Sequence, residues 1–221
     1  MILCHPQIER VFDFEESRIQ SLVIEEPGFF RELMLDLYDQ ADGMEGRLVL
    51  SEDGKELAVG SCVELLDNCL HFSINSRTLV NRLTAAMERA AMSEAFFLKT
   101  SALLQQVEEY IDELAFNFDC DVACERCTAA GLLKAAGIYI RDEYDDPLER
   151  LADYMELIRE FDRDKLFVLV NLRSFFADEH VEKFLDTVSA HGYRVLMLDS
   201  VSRKKLRAEN RITIDNDLCE F

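Results

Sequence analysis

The chain has 221 residues, of which 44 are acidic and 24 basic, so its formal charge is −20. This excess of negative charge favours solubility and repels polyanions, so charge alone argues against nucleic acid as a partner. Apolar residues make up 49% of the chain, which is enough for a packed core and excludes the disordered class.

No apolar run approaches the roughly 20 residues that cross a bilayer, so we expect no membrane partner. The N-terminus lacks the basic region and long apolar stretch of a signal peptide, which predicts a cytoplasmic protein. In that compartment the seven cysteines are expected to be reduced thiols rather than a disulfide framework.

The first 74 residues predict short strands around one helix. Four short runs rich in β-branched, aromatic or alternating apolar residues predict strands: 11–14, 19–24, 47–50 and 62–66. Apolar residues at helical spacing predict a helix over 29–38, opened by Pro27-Gly28 and ended by Asp42-Gly43. Asp53-Gly54 is a turn signal between the last two strands.

A helical region follows, beginning at Asn75-Ser76, either of which can cap a helix. No Gly or Pro occurs from there to Phe116, and apolar residues recur every three or four positions, which predicts a long amphipathic helix that can break near Met92-Ser93. A return helix is predicted over 121–135. A helix of about forty residues would be roughly 60 Å long, too long to lie on a small sheet, and therefore predicts oligomerisation.

After Gly137 the pattern alternates between strand and helix again. Continuous apolar or alternating runs predict strands over 137–140, 166–170, 194–199 and 211–214. Helices are predicted from Asp146-Pro147 to about Phe161 and from Asp178-Glu179 to the stop at Gly192. This alternation implies parallel crossovers. We therefore predict an α/β head with a mostly parallel sheet, residues 1–74 and 137–221, interrupted by an all-helical insertion, residues 75–136.

The same order of segments resembles a known family. The residues that carry the resemblance are Phe72 to Ser76, Leu132 to Ile140, Lys165 to Asn171 with Asp178-Glu179, and Val195 to Asp199. Together they resemble the small ring-forming adaptation protein of type II-A CRISPR systems. Each segment is only an apolar strand or a helix cap, so the resemblance lies in the whole series.

The resemblance implies a function that composition does not show. Members of the family form homotetramers with a positively charged central hole and bind double-stranded DNA by threading its free ends. They use calcium to order the assembly and have no established catalytic activity. They act in spacer acquisition alongside the CRISPR integrase subunits and the effector nuclease. Their head is P-loop-ATPase-like without a nucleotide site, which is then the fold expected here.

Five carboxylates surround the predicted turn between the long helix and the return helix: Asp112, Glu113, Asp119, Asp121 and Glu125. Calcium takes six to eight oxygen ligands from carboxylates, carbonyls and water. The resemblance places Asp119 and Asp121 at acidic positions of the family's calcium-binding stretch. The alternative is a solvated acidic face, which any single one of these residues fits equally.

Basic residues are sparse, so their grouping matters for DNA binding. The candidates are the run Arg203, Lys204 and Lys205, the pair Arg82 and Arg89 seven residues apart, and Lys99, Arg126 and Lys134. If four copies met in a ring, a few such residues per chain would form a phosphate-binding surface with salt-sensitive, sequence-independent contacts. Singly, each of them fits an ordinary surface charge.

Cys120, Cys124 and Cys127 have the spacing of the iron–sulfur motif of radical S-adenosylmethionine enzymes. That motif normally sits in a loop after an early strand and precedes several βα units, whereas here it lies mid-chain beside a helix with too few strands after it. Offsets of three and four would instead place the thiols on one face of a helix, where Cys packs as a small apolar residue. An iron–sulfur or radical S-adenosylmethionine enzyme is therefore the alternative function; zinc is weaker still because no fourth ligand is evident.

Other enzyme classes find little support in the sequence. Val195 to Asp199 has the form of a Walker B strand, but no GxxxxGK[ST] loop exists to hold phosphates. No G-x-S-x-G motif is present, and the four histidines have no nucleophile at a suitable spacing. We therefore predict a non-enzymatic protein; an acidic regulatory module that binds another protein is the third hypothesis.

Overall fold

The computed structural model describes residues 1–221 and divides the chain into two compact units. Unit 1 consists of residues 1–72 and 143–221, and unit 2 consists of residues 73–142. The strands, all in unit 1, are β1 (Ile2–Cys4), β2 (Phe12–Asp13), β3 (Ile19–Ile24), β4 (Val49–Glu52), β5 (Lys55–Leu57), β6 (Val63–Leu66), β7 (Leu166–Val170), β8 (Arg194–Asp199) and β9 (Asn210–Ile214). The helices are α1 (Pro27–Ala41), α2 (Val59–Cys62), α3 (Arg77–Ala91), α4 (Phe97–Ala115), α5 (Ala129–Ala136), α6 (Pro147–Phe161) and α7 (Asp178–Ala190).

The predicted parallel sheet is confirmed in unit 1. It has five strands in the order β6-β7-β8-β3-β9, and all four neighbouring pairs are parallel. All residues of β3 and β7 are buried, as strands covered on both faces require. Even the polar Gln20 of β3 is buried, and its amide donates to the carbonyl oxygen of Asp13 over 2.8 Å.

A second, antiparallel sheet has the order β2-β1-β4-β5. Its β4–β5 hairpin turns at Asp53 (φ 50°) and Gly54 (φ 74°), and these two positive φ values suit the right-handed twist of the flanking strands. Sequence patterning missed β1 and β5, which are three residues long each. The strand predicted over 47–50 is displaced to Val49–Glu52.

Helix boundaries in unit 1 follow from local capping. The carboxylate of Asp146 accepts from the main-chain N–H of Leu148 over 2.8 Å, and Pro147 begins α6 as predicted. Helix α7 begins at Asp178 and is followed by Gly192 with φ 70°, a conformation that a residue with a Cβ adopts at a cost.

Unit 2 is helical, but its long helical region is divided in two. The break lies between Ala91 and Phe97, at the Met92-Ser93 position where the sequence allows one, so no forty-residue helix forms. At the break the hydroxyl of Ser93 donates to the carbonyl of Ala90, and the hydroxyl of Thr100 donates to the carbonyl of Ala91. Side-chain hydroxyls therefore satisfy carbonyl oxygens that have no helical partner at the end of α3.

The return helix is shorter than expected, because residues 116–128 form no regular helix and α5 spans only Ala129–Ala136. The hydroxyl of Thr128 accepts from the N–H of Gly131 over 3.0 Å and fixes the start of α5. Residues 116–128, just before α5, are almost all exposed. No tertiary packing therefore offsets the low helix propensity of the Asp and Cys residues in this segment.

The strand predicted over 137–140 is also wrong. Gly137 has φ 65° and ends α5 in the left-handed conformation. The main chain of Ile140 instead pairs with one side chain: its N–H donates to Oδ1 of Asn75, and its carbonyl accepts from Nδ2 of Asn75, both over 2.8 Å. A strand forms only when its main-chain N–H and C=O groups bond a neighbouring strand. Here the side-chain amide of Asn75 bonds both groups of Ile140 instead.

Candidate nucleic-acid interface

All eight basic residues predicted to contact DNA are exposed. Arg82 and Arg89 lie on α3, Lys99 on α4, Arg126 in the irregular segment 116–128 and Lys134 in the last turn of α5, all in unit 2. Arg203, Lys204 and Lys205 lie in unit 1, in the loop between β8 and β9. We call residues 203–205 the basic loop.

The basic loop lies at the carboxyl edge of the parallel sheet, and two arginines hold its backbone. Arg173 is only 2% exposed, and its Nη2 donates to the carbonyl of Lys204 over 2.7 Å. Arg211 donates to the carbonyls of both Arg203 and Lys204. Because these bonds use main-chain oxygens, the three basic side chains remain free to meet a polyanion.

The two anchoring arginines are neutralised by two carboxylates, that of the half-buried Asp178 and that of the buried Glu209. Arg173 donates to Oδ1 of Asp178 from Nε over 3.1 Å and from Nη2 over 2.9 Å. Glu209 is buried, and its Oε1 pairs with Arg211, lies 3.9 Å from Nη1 of Arg173 and accepts from the N–H of Leu206 over 2.7 Å. Buried ion pairs with several hydrogen bonds hold one geometry, because breaking any of them leaves a charge uncompensated.

Asp199 ends β8 just before this loop and is also buried. Burial, which disfavours the charged carboxylate, raises the pKa of Asp199 to about 6; nearby Arg173 acts in the opposite direction, and Glu209 adds to the rise. Next to it, Asn171 adopts φ 51°, and its Oδ1 accepts from the N–H of Ser200 over 2.9 Å and from its hydroxyl over 3.0 Å. The side chain of Asn171 thus holds the start of the loop at Ser200.

Sequence patterning found the basic loop but missed Arg173, Glu209 and Arg211. The available signals were weak: Arg173 closely follows a fully buried strand, and Glu209 lies between the apolar Leu206 and Ile212. Neither pattern distinguishes a buried ion pair from two surface charges, since the contact joins residues that are far apart in sequence.

The N-terminus of α1 follows the first strand of the parallel sheet, where a nucleotide-binding protein would place a phosphate. Here the carboxylate of Glu26 takes that role. It accepts from the N–H of Gly28 over 2.8 Å and from the N–H of Phe29 over 2.6 Å, and these bonds lower the pKa of Glu26. The amide groups that could bind an external phosphate are therefore already occupied.

The five carboxylates predicted as calcium ligands are all exposed. Asp112 and Glu113 lie near the end of α4, and Asp119, Asp121 and Glu125 lie in the irregular segment 116–128. No three His, Cys, Asp or Glu side chains of the chain approach closely enough to hold a metal ion. Within a single chain, these residues do not fit a calcium site.

The cysteines of the predicted iron–sulfur motif lie in the same irregular segment. Cys120 and Cys124 are exposed and Cys127 is half-buried, and they do not form a metal-binding group. The expectation that they share a helical face is wrong, because no helix forms there. The N–H of Cys127 donates to Oε1 of Glu108 over 2.7 Å, which attaches the segment to α4.

Helix α4 carries a long apolar surface without a partner. None of its 19 residues is buried, and Leu98 is 82% exposed. Leu103, Val107, Tyr110 and Leu114 recur at offsets of four, three and four, which places them along one face. An exposed stripe of this length in a monomer indicates an interaction surface.

No helix of the chain is both long enough and apolar enough to span a membrane. A family model described as CRISPR-associated protein (Cas_Csn2) matches residues 40–218. The match includes all of unit 2 and every strand of unit 1 from β4 to β9. A search of curated proteins found no match.

Proposed function

The chain belongs to the Cas_Csn2 family of CRISPR-associated proteins, and on that premise we propose that it binds the ends of double-stranded DNA, without sequence preference, as a tetrameric ring during spacer acquisition. The family makes it a CRISPR adaptation protein. The ring, the DNA ends and the partners in acquisition, the integrase subunits and effector nuclease, are parts of the proposal. It has no catalytic step.

The observation that supports DNA binding most directly is the basic loop. In a chain of charge −20, three consecutive cations are exposed, and their backbone is fixed by buried arginines. Because the backbone of the loop is already ordered, binding a phosphate there restricts only the basic side chains, so the contact is more favourable than one made from a mobile loop. The proposed contacts are to the DNA backbone and therefore independent of base sequence.

The oligomer is supported by the apolar face of α4. A second copy of the chain is a suitable cover, because the surface is apolar and no other element of unit 2 buries it. Bringing several chains together would multiply the number of basic groups available to one DNA molecule. The same assembly would bring carboxylates from different chains together. We therefore propose that calcium binds only to the assembled protein.

A non-enzymatic role is supported by the α1 N-terminus, where Glu26 occupies the amide groups that a nucleotide phosphate would need. The iron–sulfur alternative gains nothing from the irregular, mostly exposed segment that holds its three cysteines. An acidic module that binds only another protein remains the competing proposal, and it predicts no affinity for DNA.

The experiment is a gel-shift titration of linear duplex and covalently closed circular duplex, with calcium and with chelator, beside light-scattering masses. We expect the linear duplex to shift and the circle not to shift, because threading requires a free end. A variant with Arg203, Lys204 and Lys205 changed to Gln should bind more weakly, and its log–log salt slope should fall by roughly 0.9 for each phosphate contact removed.

The matched control is Arg207→Gln, an exposed residue paired with Asp186 rather than presented to solvent alone. It should leave affinity and salt slope nearly unchanged. Equal binding of circular and linear DNA would exclude threading. Absence of any shift in both conditions would exclude DNA binding and favour the protein-binding module.

A further inference from the structure

A second basic surface of unit 1 is a cavity of about 380 Å³ at the amino edge of the parallel sheet. Five of the 24 basic residues of the chain line it: Arg18, Arg159, Arg163, Lys165 and Arg194. Only two carboxylates, those of Asp162 and Asp164, are among its walls. The local charge is thus opposite to that of the whole protein.

The fold brings these cations together. Arg18 immediately precedes β3, Lys165 immediately precedes β7, and Arg194 begins β8. The strands β7, β8 and β3 are adjacent in the sheet and parallel, so their first residues lie side by side at one edge. Arg159 and Arg163 come from the end of α6 and the loop after it.

Some of this charge has a structural role. Lys165 lies 3.6 Å from Asp162, and Arg194 pairs with Glu15 over 3.0 Å and with Glu52 over 2.7 Å. Arg159 bonds the carbonyl of His191 at the end of α7 and lies 5.1 Å from the ring centroid of Tyr193. Cations at helix C-termini are favourable in their own right, so these contacts alone do not require a ligand.

Two features remain unexplained by those contacts. Arg163 is exposed at the cavity and has no hydrogen bond or ion pair. The Nε of Arg194 is buried and has no hydrogen-bond partner, although the same guanidinium is paired at Nη2. That Nε is closed off from solvent and so from the cavity, which leaves Arg163 as the cation there without a counter-ion, and an anion in the cavity would supply one.

We propose that this cavity binds a phosphate monoester, such as inorganic phosphate, a nucleotide or the terminal phosphate of a DNA strand. A monoester carries close to two negative charges at neutral pH and three oxygens that accept from arginine, which matches several guanidinium groups at one point. The cavity is large enough for a phosphate with part of an attached sugar. A phosphodiester inside a duplex carries only one charge and two free oxygens, so it offers less to the same guanidinium groups.

This site is distinct from the basic loop. Arg194 and Asp199 are the two ends of β8, so the cavity and the basic loop lie at opposite edges of the sheet, separated by roughly 16 Å of strand. The cavity goes beyond the proposed DNA-end binding, since a phosphate monoester can bind there whether or not the protein threads a duplex.

The test is calorimetric titration of the full chain with inorganic phosphate against chloride at equal ionic strength. Arg163→Gln is the informative variant, because Arg163 is exposed and unpaired and its loss should not affect folding. We expect saturable binding by the unaltered protein and affinity weakened about tenfold in Arg163→Gln, as for one lost charge-assisted hydrogen bond. Arg207→Gln, which removes the same charge on a different surface, should bind as the unaltered protein does.

Competition identifies the source of the phosphate. Displacement of bound phosphate by a nucleoside monophosphate would assign the site to free nucleotides. Displacement by a duplex with 5′-phosphate ends, but not by one with 5′-hydroxyl ends, would assign it to DNA termini. Either result supports the proposal. No binding of inorganic phosphate, or equal affinity in Arg163→Gln, would overturn it. The gel-shift result for linear duplex plays no part in this readout, so the two proposals can fail separately.

Discussion

The guanidinium of Arg173 donates a hydrogen bond to the carbonyl oxygen of Lys204 over 2.7 Å, so a buried cation fixes the backbone of an exposed basic loop. The same guanidinium pairs with Asp178, and Glu209 lies nearby. One side chain therefore contributes both to the stability of the fold and to the presentation of the loop.

Arg173→Met is expected to lower the free energy of unfolding by about 3–5 kcal/mol, because Glu209 loses one of its two cationic neighbours while remaining buried. Urea unfolding measures this loss, and the salt slope of DNA binding should change as well, since the loop backbone is released. The control is Arg207→Met, whose exposed pair with Asp186 should contribute at most about 1 kcal/mol. Equal effects of the two variants would contradict the anchoring role.

Asp199 gives stability an unusual pH dependence. Its pKa is raised to about 6 by burial, while an unfolded Asp has a pKa near 3.9, so the folded chain holds this proton more tightly. The contribution of Asp199 to stability is therefore greatest below about pH 4, falls as pH rises from 4 to 6 and is lowest above 6. The full change is about 3 kcal/mol.

Asp199→Asn removes this titration. Relative to the unaltered protein, the variant should gain stability as pH rises from 4 to 7, measured by urea unfolding at each pH. Asp217→Asn changes an exposed carboxylate near the C-terminus and should show no such relative gain. If Asp199→Asn were instead less stable at pH 7, the ionised carboxylate would be a partner of the nearby arginines rather than a destabilising charge.

The carboxylate of Glu26 at the start of α1 predicts that nucleotides do not bind there. Adding ATP with Mg²⁺ should leave the thermal midpoint of unfolding unchanged, because a ligand that binds only the folded state would raise it. Differential scanning fluorimetry over a range of nucleotide concentrations measures this. A saturable rise that becomes larger in Glu26→Ala, which frees the N–H groups of Gly28 and Phe29, would assign a nucleotide site to the α1 N-terminus.

The apolar stripe of α4 predicts how the oligomer can be broken. Replacing Leu103 and Tyr110 with Glu should reduce the mass measured by light scattering, since each apolar side chain buried in a contact contributes roughly 1.5–3 kcal/mol. Neither residue is buried within the chain, so the monomer should keep its helical content by circular dichroism. Ser101→Glu, on the opposite face, is the control, and an unchanged mass in the double variant would place the contact elsewhere.

The parallel sheet was predictable because its central strands are buried on both faces and therefore read as continuous apolar runs. Segments such as Leu166–Val170 have no other plausible place than a sheet covered by helices. By contrast, Ile138 to Ile140 has the same local character but forms no strand, because the side chain of Asn75 bonds the main chain of Ile140. The local sequence pattern shows which secondary structure a segment can form, and the hydrogen-bond partner available in the fold determines whether it forms.

The candidate site was predictable only in part. A run such as Arg203 to Lys205 can be found in any sequence. The arginines that hold its backbone come from the turn after β7 and from β9, and they meet only in the fold. The five carboxylates were close in sequence yet form no ligand group, because residues 116–128 do not continue as a helix. Proximity along the chain predicts proximity in space only where the local structure is known.

The paired hydrogen bonds between Asn75 and Ile140 have a consequence for folding. They join the beginning and the end of unit 2. Once unit 2 has formed, the two points at which it connects to unit 1 along the chain are therefore close together. Closing a flexible loop of that length would otherwise cost roughly 4 kcal/mol in chain entropy. A folded unit 2 thus works as a non-covalent cross-link between the two halves of unit 1, and unfolding it should slow the assembly of the parallel sheet.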